Sequence, residues 1–124
     1  MYSSGYNAYK ANSVNFASKE QLLLMLVDGA VKFAKIARQA IEDKDIQKAH
    51  NNIIKTEDIF TELRITLDTS AGKWAEDMFE IYGFINQKLF EANIKKSVEI
   101  MDEILPLIEE IRDIWYEAEK RSKL

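Results

Sequence analysis

The sequence predicts an all-α protein, an antiparallel four-helix bundle with an extended N-terminal segment. Apolar residues recur at helical spacing along most of the chain. Only four Gly and one Pro in 124 residues leave too few turns for a many-stranded sandwich or barrel. The breaks that do occur divide the apolar pattern into four long stretches. With 47% hydrophobic residues and a net charge of −4, disorder is excluded as the overall state. A chain of this length folds as one domain and can bury roughly two-thirds of its unfolded surface.

Residues 1–17 carry Tyr2, Tyr6 and Tyr9 among Ser, Asn and Gly and have no helical period, so they form a flexible segment ahead of a single bundle domain over 18–124. Ser18 with Gln21 makes a capping box that opens the first helix, which runs from about Ser18 to Asp43. Glu42 to Asp45 is the turn, with Asp45 capping a second helix that continues to about Leu67. Asp68 to Gly72 is the next break. The third helix covers Lys73 to Asn93, and a link through Lys95 and Lys96 leads to the fourth, Ser97 to Lys120. Pro106 falls inside that helix, but the apolar pattern is unchanged on either side, which predicts one bent helix rather than two. The expected core stripes are Leu22, Leu26, Gly29, Phe33, Ile36, Ala40; then Ile46, Ala49, Ile53, Phe60, Leu63, Leu67; then Trp74, Met78, Ile81, Tyr82, Ile85, Leu89; and last Ile100, Met101, Ile104, Ile108, Ile111, Trp115.

The helices carry more apolar surface than those stripes use. At about 100° per residue, Leu24, Val27 and Val31 lie off the first stripe, Ile54 and Ile65 off the second, and Phe79, Gly83 and Phe90, with Asn86 beside them, off the third. A row of this kind left in water is an aggregation hazard. Three covers are open: contacts within the bundle, the tyrosine-bearing N-terminus folded back, or a partner helix laid in a groove. Gly83 fits close approach of another backbone or close packing between the protein's own helices equally well.

Catalytic and metal chemistry is not visible. No cysteine means no disulfide framework, no thiolate zinc site and no cysteine nucleophile. His50 is the only histidine and stands in no Glu-x-x-His pair, so a transition-metal site is not expected and His50 reads as a surface polar residue. No phosphate loop or nucleophile elbow occurs. Glu109, Glu110 and Asp113 sit among Arg112 and Lys120 on a charged helix, which reads as a solvated face. An isoelectric point near 5.1 disfavours nucleic acid or an anionic membrane as a partner. The longest apolar run, Leu22 to Val27, is far short of the ~20 residues that span a bilayer, and no secretory leader is recognisable, so membrane insertion is not expected and a cytoplasmic location is.

Several motifs, in order, resemble the flagellin-specific export chaperone family (FliS). They are Tyr2-Ser-Ser-Gly-Tyr-Asn-Ala-Tyr9, then Ser18-Lys-Glu-Gln-Leu22 with Met25-Leu-Val-Asp-Gly-Ala30, then Gly72-Lys-Trp-Ala75, Ile81-Tyr-Gly-Phe84 and Leu89-Phe-Glu-Ala-Asn93, and finally Ile111-Arg-Asp-Ile-Trp115. The resemblance implies a cytoplasmic, non-enzymatic chaperone with no cofactor. Its partner would be the C-terminal helical segment of flagellin, kept from premature polymerisation and delivered to the flagellar type III export apparatus. The export gate and other flagellar regulatory proteins would be further partners. It also implies that Tyr6 and Tyr9 lie near the binding surface. Val27, Gly83 and Pro106 depart from the family pattern. The partner-binding set expected is thus Tyr6, Tyr9, Leu24, Val27, Val31, Ile54, Ile65, Phe79, Gly83, Asn86 and Phe90, on a monomer or weak homodimer. The alternative is a self-associating structural or regulatory bundle whose leftover stripes meet in a homodimer.

Overall fold

The structure is a computed structural model and describes residues 18–123. Four helices, α1 (Lys19–Glu42), α2 (Ile46–Thr66), α3 (Lys73–Lys95) and α4 (Val98–Ser122), follow one another, with a single 3₁₀ turn, Thr69–Ala71, between α2 and α3. The described residues contain no strand. The expected extended segment with Tyr2, Tyr6 and Tyr9 lies outside the described residues.

Local chemistry sets each boundary. Ser18 and Gln21 form the reciprocal capping box, with the Gln21 amide 3.1 Å from Ser18 Oγ and the Ser18 amide 3.0 Å from Gln21 Oε1. Asp45 accepts from the Lys48 amide at 3.2 Å and opens α2, as its sequence position predicts. Asp68 takes the Ser70 amide at 3.0 Å and Ser97 the Ile100 amide at 3.1 Å. The helix α3 runs past Asn93 to Lys95, so its link to α4 shrinks to Lys96 and Ser97. Two helices end with a lysine in the left-handed region, Lys44 at φ 62° and Lys96 at φ 48°. In both the following amide reaches back five residues, Asp45 to the Ala40 carbonyl at 2.9 Å and Ser97 to that of Ala92 at 3.1 Å. Helix α4 is unbroken through Pro106, as expected.

The helices close a ring in which α1 packs on α2 and α4, and α3 on the same two. Cross-contacts show the antiparallel order: Asp28, Lys35 and Arg38 of α1 meet Tyr116, Glu109 and Asp102 of α4. His50, Thr61 and Arg64 of α2 meet Asn93, Asn86 and Phe79 of α3. The core holds most of the predicted stripe residues, with Phe60 and Tyr82 paired at 5.8 Å between ring centroids. Tyr82 also accepts a 2.8 Å hydrogen bond from Trp115 Nε1, and burial pushes its phenol up to about 12 despite that bond.

The expected core residues furthest outside it are Ile46 and Trp74, each 53% exposed. Both stand in the first turn of their helix, where the bundle ends, and Trp74 rests edge-on against Trp115 at 6.1 Å. A larger correction concerns α1. Val27 and Val31, expected to face outward, are core residues at 1% and 5% exposure. The buried positions of α1, from Gly29 round to Val31, span roughly 200° at ~100° per residue, twice the stripe of a helix with one neighbour. Leu24 lies at the edge of that arc and is half-buried.

Left-handed backbone costs a residue with a Cβ about 1 kcal/mol, and Lys44 has no side-chain bond among the described residues that offsets it. Lys44→Gly is expected to raise the thermal midpoint by a few degrees. Lys96→Gly should gain less, because Lys96 Nζ bonds the Asn93 carbonyl and Oδ1 at 2.6 and 2.8 Å. Tyr82→Phe leaves the Trp115 indole N–H without its acceptor and is expected to lower unfolding free energy by about 1 kcal/mol, with a change in tryptophan emission.

Candidate binding surface

The helices α2 and α3 meet through polar and aromatic contacts on their outer side. From one end to the other, Asn93 Nδ2 is 3.0 Å from His50 Nδ1, Asn86 Nδ2 donates to Thr61 Oγ1 at 3.0 Å and to the Glu57 carbonyl at 3.3 Å, and Arg64 Nε donates to the Phe79 carbonyl at 3.2 Å. The Arg64 guanidinium lies over the Phe79 ring, 4.0 Å from its centre. Asn86 Oδ1 is buried without a hydrogen-bond partner among the described residues.

Apolar side chains flank this seam on both helices. Ile65 on α2 is 73% exposed, and Phe90 and Ile94 on α3 are 60% and 67% exposed. Ile54, Phe79 and Gly83 are half-buried between them. Six of the residues expected to bind a partner, Ile54, Ile65, Phe79, Gly83, Asn86 and Phe90, are therefore brought together on one flank.

The others are not part of it. Leu24, Val27 and Val31 lie on the side of α1 that also carries Asp28, Lys35 and Arg38, all of which contact α4. Their excess over a single stripe is used by that second neighbour. Tyr6 and Tyr9 are outside the described residues. The Gly83 notch is filled from within: an added Cβ would stand 2.8 Å from Arg64 Nη2.

Arg64, Glu57, Thr61 and Ile94 belong to the flank and were not singled out from sequence. Ile94 follows Phe90 by one turn and extends the Phe79–Gly83–Phe90 line, which is a legible signal. Nothing in the sequence signals that a charged Arg64 lies over an aromatic ring.

Electrostatics differ sharply along the bundle. On α4, Asp102 is held below the usual carboxylate range by Arg38, whose Nε is 2.8 Å from Asp102 Oδ1, while Arg38 itself is raised by Asp102 and then Glu42. On α2 the opposite occurs. Burial, and then the neighbouring Asp58, push the Glu57 carboxyl up to about 7. His50 is exposed, and the described residues contain no group of three or more side chains able to hold a metal ion. No helix among them is long and apolar enough to cross a membrane.

The comparisons with known proteins agree with this architecture. The model of the family described as flagellar protein FliS matches residues 2–122. The chain belongs to the FliS family. Its relatives include the flagellar secretion chaperone FliS of Bacillus subtilis, 36% identical over 113 residues that cover 91% of this chain and 84% of the relative. The FliS of Campylobacter jejuni is 30% identical over 114 residues, covering 91% of this chain and 89% of that protein. The Escherichia coli FliS is 28% identical over 109 residues, covering 86% and 80%. Membership of FliS makes this a chaperone of flagellar export with a flagellar protein as its partner.

Because Glu57 binds its proton more tightly folded than unfolded, its contribution to stability is full below about pH 4.5 and declines as pH rises toward about 7. Glu57→Gln removes the decline. After allowance for solvent screening of this half-exposed group, the variant is expected to be about 1 kcal/mol more stable relative to the parent at pH 8 than at pH 4.5, read from urea unfolding at both pH values.

Proposed function

We propose that this chain is a cytoplasmic, non-catalytic export chaperone that binds the C-terminal helical segment of flagellin, prevents its premature polymerisation and aids its delivery to the flagellar type III export apparatus. The observation that supports it most is the open apolar surface beside the α2–α3 seam, where Ile65, Phe90 and Ile94 stand 73%, 60% and 67% exposed. Isolated surface apolar residues are ordinary, but rows on two adjacent antiparallel helices form a shallow track of the shape an amphipathic helix fills.

A filament subunit must carry apolar helical surface that packs in the filament, and in the cytosol that surface needs cover. If coupled folding and binding buries ~1,000–3,000 Å², the gross hydrophobic gain at ~25 cal/mol per Å² is about 25 kcal/mol or more. Ordering the segment and losing its free tumbling consume most of this. The remainder leaves an affinity that permits release at the export gate.

The test uses isothermal titration calorimetry with a synthetic peptide of the C-terminal helical segment of flagellin from the same organism. Phe90→Asp and Ile65→Asp are both at exposed positions, so far-ultraviolet circular dichroism should be unchanged. Each is expected to weaken binding about tenfold or more. Parent-like affinity in both variants would remove the flank from the binding surface. A parent protein that ignores the peptide and scatters light as a constant dimer would favour the self-associating bundle.

A further inference from the structure

Arg64 is bound differently from the other arginines of this chain. Of the four, Arg38 grips Asp102 and Glu42, Arg112 contacts Asp113, and Arg121 contacts Glu117. Arg64 pairs with no carboxylate among the described residues. Its guanidinium instead covers the Phe79 ring at 4.0 Å, donates through Nε to the Phe79 carbonyl at 3.2 Å, and occupies the space left by Gly83. Its other nitrogens have no hydrogen bond to a described residue.

Among the described residues, no acidic side chain forms an ion pair with Arg64. Asp68, just past the end of α2, is committed to Ser70, accepting from its amide at 3.0 Å and its hydroxyl at 2.5 Å. Glu57, two turns back, is shifted up by burial and by Asp58, the reverse of what a guanidinium partner does. Residues 1–17 contain no Asp or Glu. A planar fork of donors, desolvated on one face by an aromatic ring and set among apolar side chains, is suited to a carboxylate.

We infer that Arg64 receives an Asp or Glu side chain of the bound helix and that this pair fixes the register of that helix along the α2–α3 flank. The inference rests on the flagellin reading and names the chemistry that reading lacks. Apolar rows supply area, but a helix could slide along them by a turn at little cost, whereas one charged pair discriminates between registers. The surroundings sharpen the choice. Beyond Phe79 the surface is lined by Glu76, Asp77 and Glu80 around Lys73, so an acid of the partner that overshoots Arg64 meets like charge.

The experiment is a double-mutant cycle by calorimetry at two salt concentrations. The protein is used as the parent, as Arg64→Met and as Arg64→Lys. The probe is the synthetic C-terminal flagellin peptide, with each Asp and Glu changed in turn to its amide. Arg64→Met is expected to bind about tenfold more weakly with a flatter salt dependence. One peptide acid should cost as much when neutralised against the parent and nothing against Arg64→Met. Arg64→Lys should recover part of the affinity, since it keeps the charge and loses the fork. Gly83→Ala, which displaces the guanidinium without removing it, should weaken binding through the same acid. If the parent binds the peptide but every peptide substitution costs the same with and without Arg64, the pairing is overturned while the flagellin reading stands. If the parent does not bind the peptide, both fall. If Arg64→Met loses helicity, the cycle against Arg64→Lys gives the coupling.

Discussion

A ring of four helices has four interfaces, and the way apolar surface is divided among them constrains everything else in this molecule. Helix α1 gives its whole buried arc to two of them. Ala30, Ala34, Ala37 and Ala40 present little bulk and are all buried, while Val27, Val31 and Ile41 fill the space beside them. Small residues let neighbouring helices approach closely, and branched ones give the shape that fixes a single packing. Opposite α1, the helix α3 has the Met78, Tyr82, Ile85 and Leu89 stripe for the core. Its outer edge toward α2 is closed by hydrogen bonds and a stacked arginine. The apolar residues beyond that edge have no helix of the bundle left to cover them.

That division is favourable for a carrier. Hydrogen bonds between neutral groups at a half-exposed seam contribute about 1 kcal/mol each, much less than the apolar core contributes, so the seam can adjust without unfolding the bundle. The buried Asn86 Oδ1 and the displaced titration of Glu57 mark the same strip as incompletely satisfied. Incomplete satisfaction at a surface is stabilised by a partner that brings its own polar and apolar groups. The opposite side, along α1 and α4, is bridged by ion pairs at Arg38 and Lys35 and by the Tyr116 to Asp28 bond at 2.5 Å.

The fold was legible in the sequence because helical signals here are local and agree. Ser18 with Gln21, Asp45, Asp68 and Ser97 each cap where a hydroxyl or carboxylate can reach an orphan amide, and the stripes at Ile53, Phe60, Ile85 and Ile108 are all core. What periodicity cannot supply is how many neighbours a helix has. The same angular excess that leaves Phe90 and Ile65 open is consumed at Val27 and Val31 by α4, because only the tertiary arrangement decides which surplus faces a helix and which faces water. Trp74 and Ile46 illustrate the matching error at the ends, where a correctly phased residue runs out of core. Arg64 was invisible for another reason. Its position depends on a hole at Gly83, one helix away, and a sequence pattern along α2 contains no trace of it.

On the proposed reading, in which the flank holds a helix and later releases it, affinity and register are separate problems. Adding apolar area to the α2–α3 flank would raise affinity, yet it would not specify position along the track, and it would leave more surface to aggregate when empty. The free protein limits the second risk by laying Arg64 over Phe79 and beside Gly83, so part of the apolar surface is covered by a charged group that keeps water nearby. A side chain at Gly83 would evict that guanidinium, and a longer apolar residue at 64 would cover Phe79 without offering donors. The pair of glycine on α3 and arginine on α2 shields an aromatic ring in this structure and, on the proposed reading, would also present a directional charge to a bound helix.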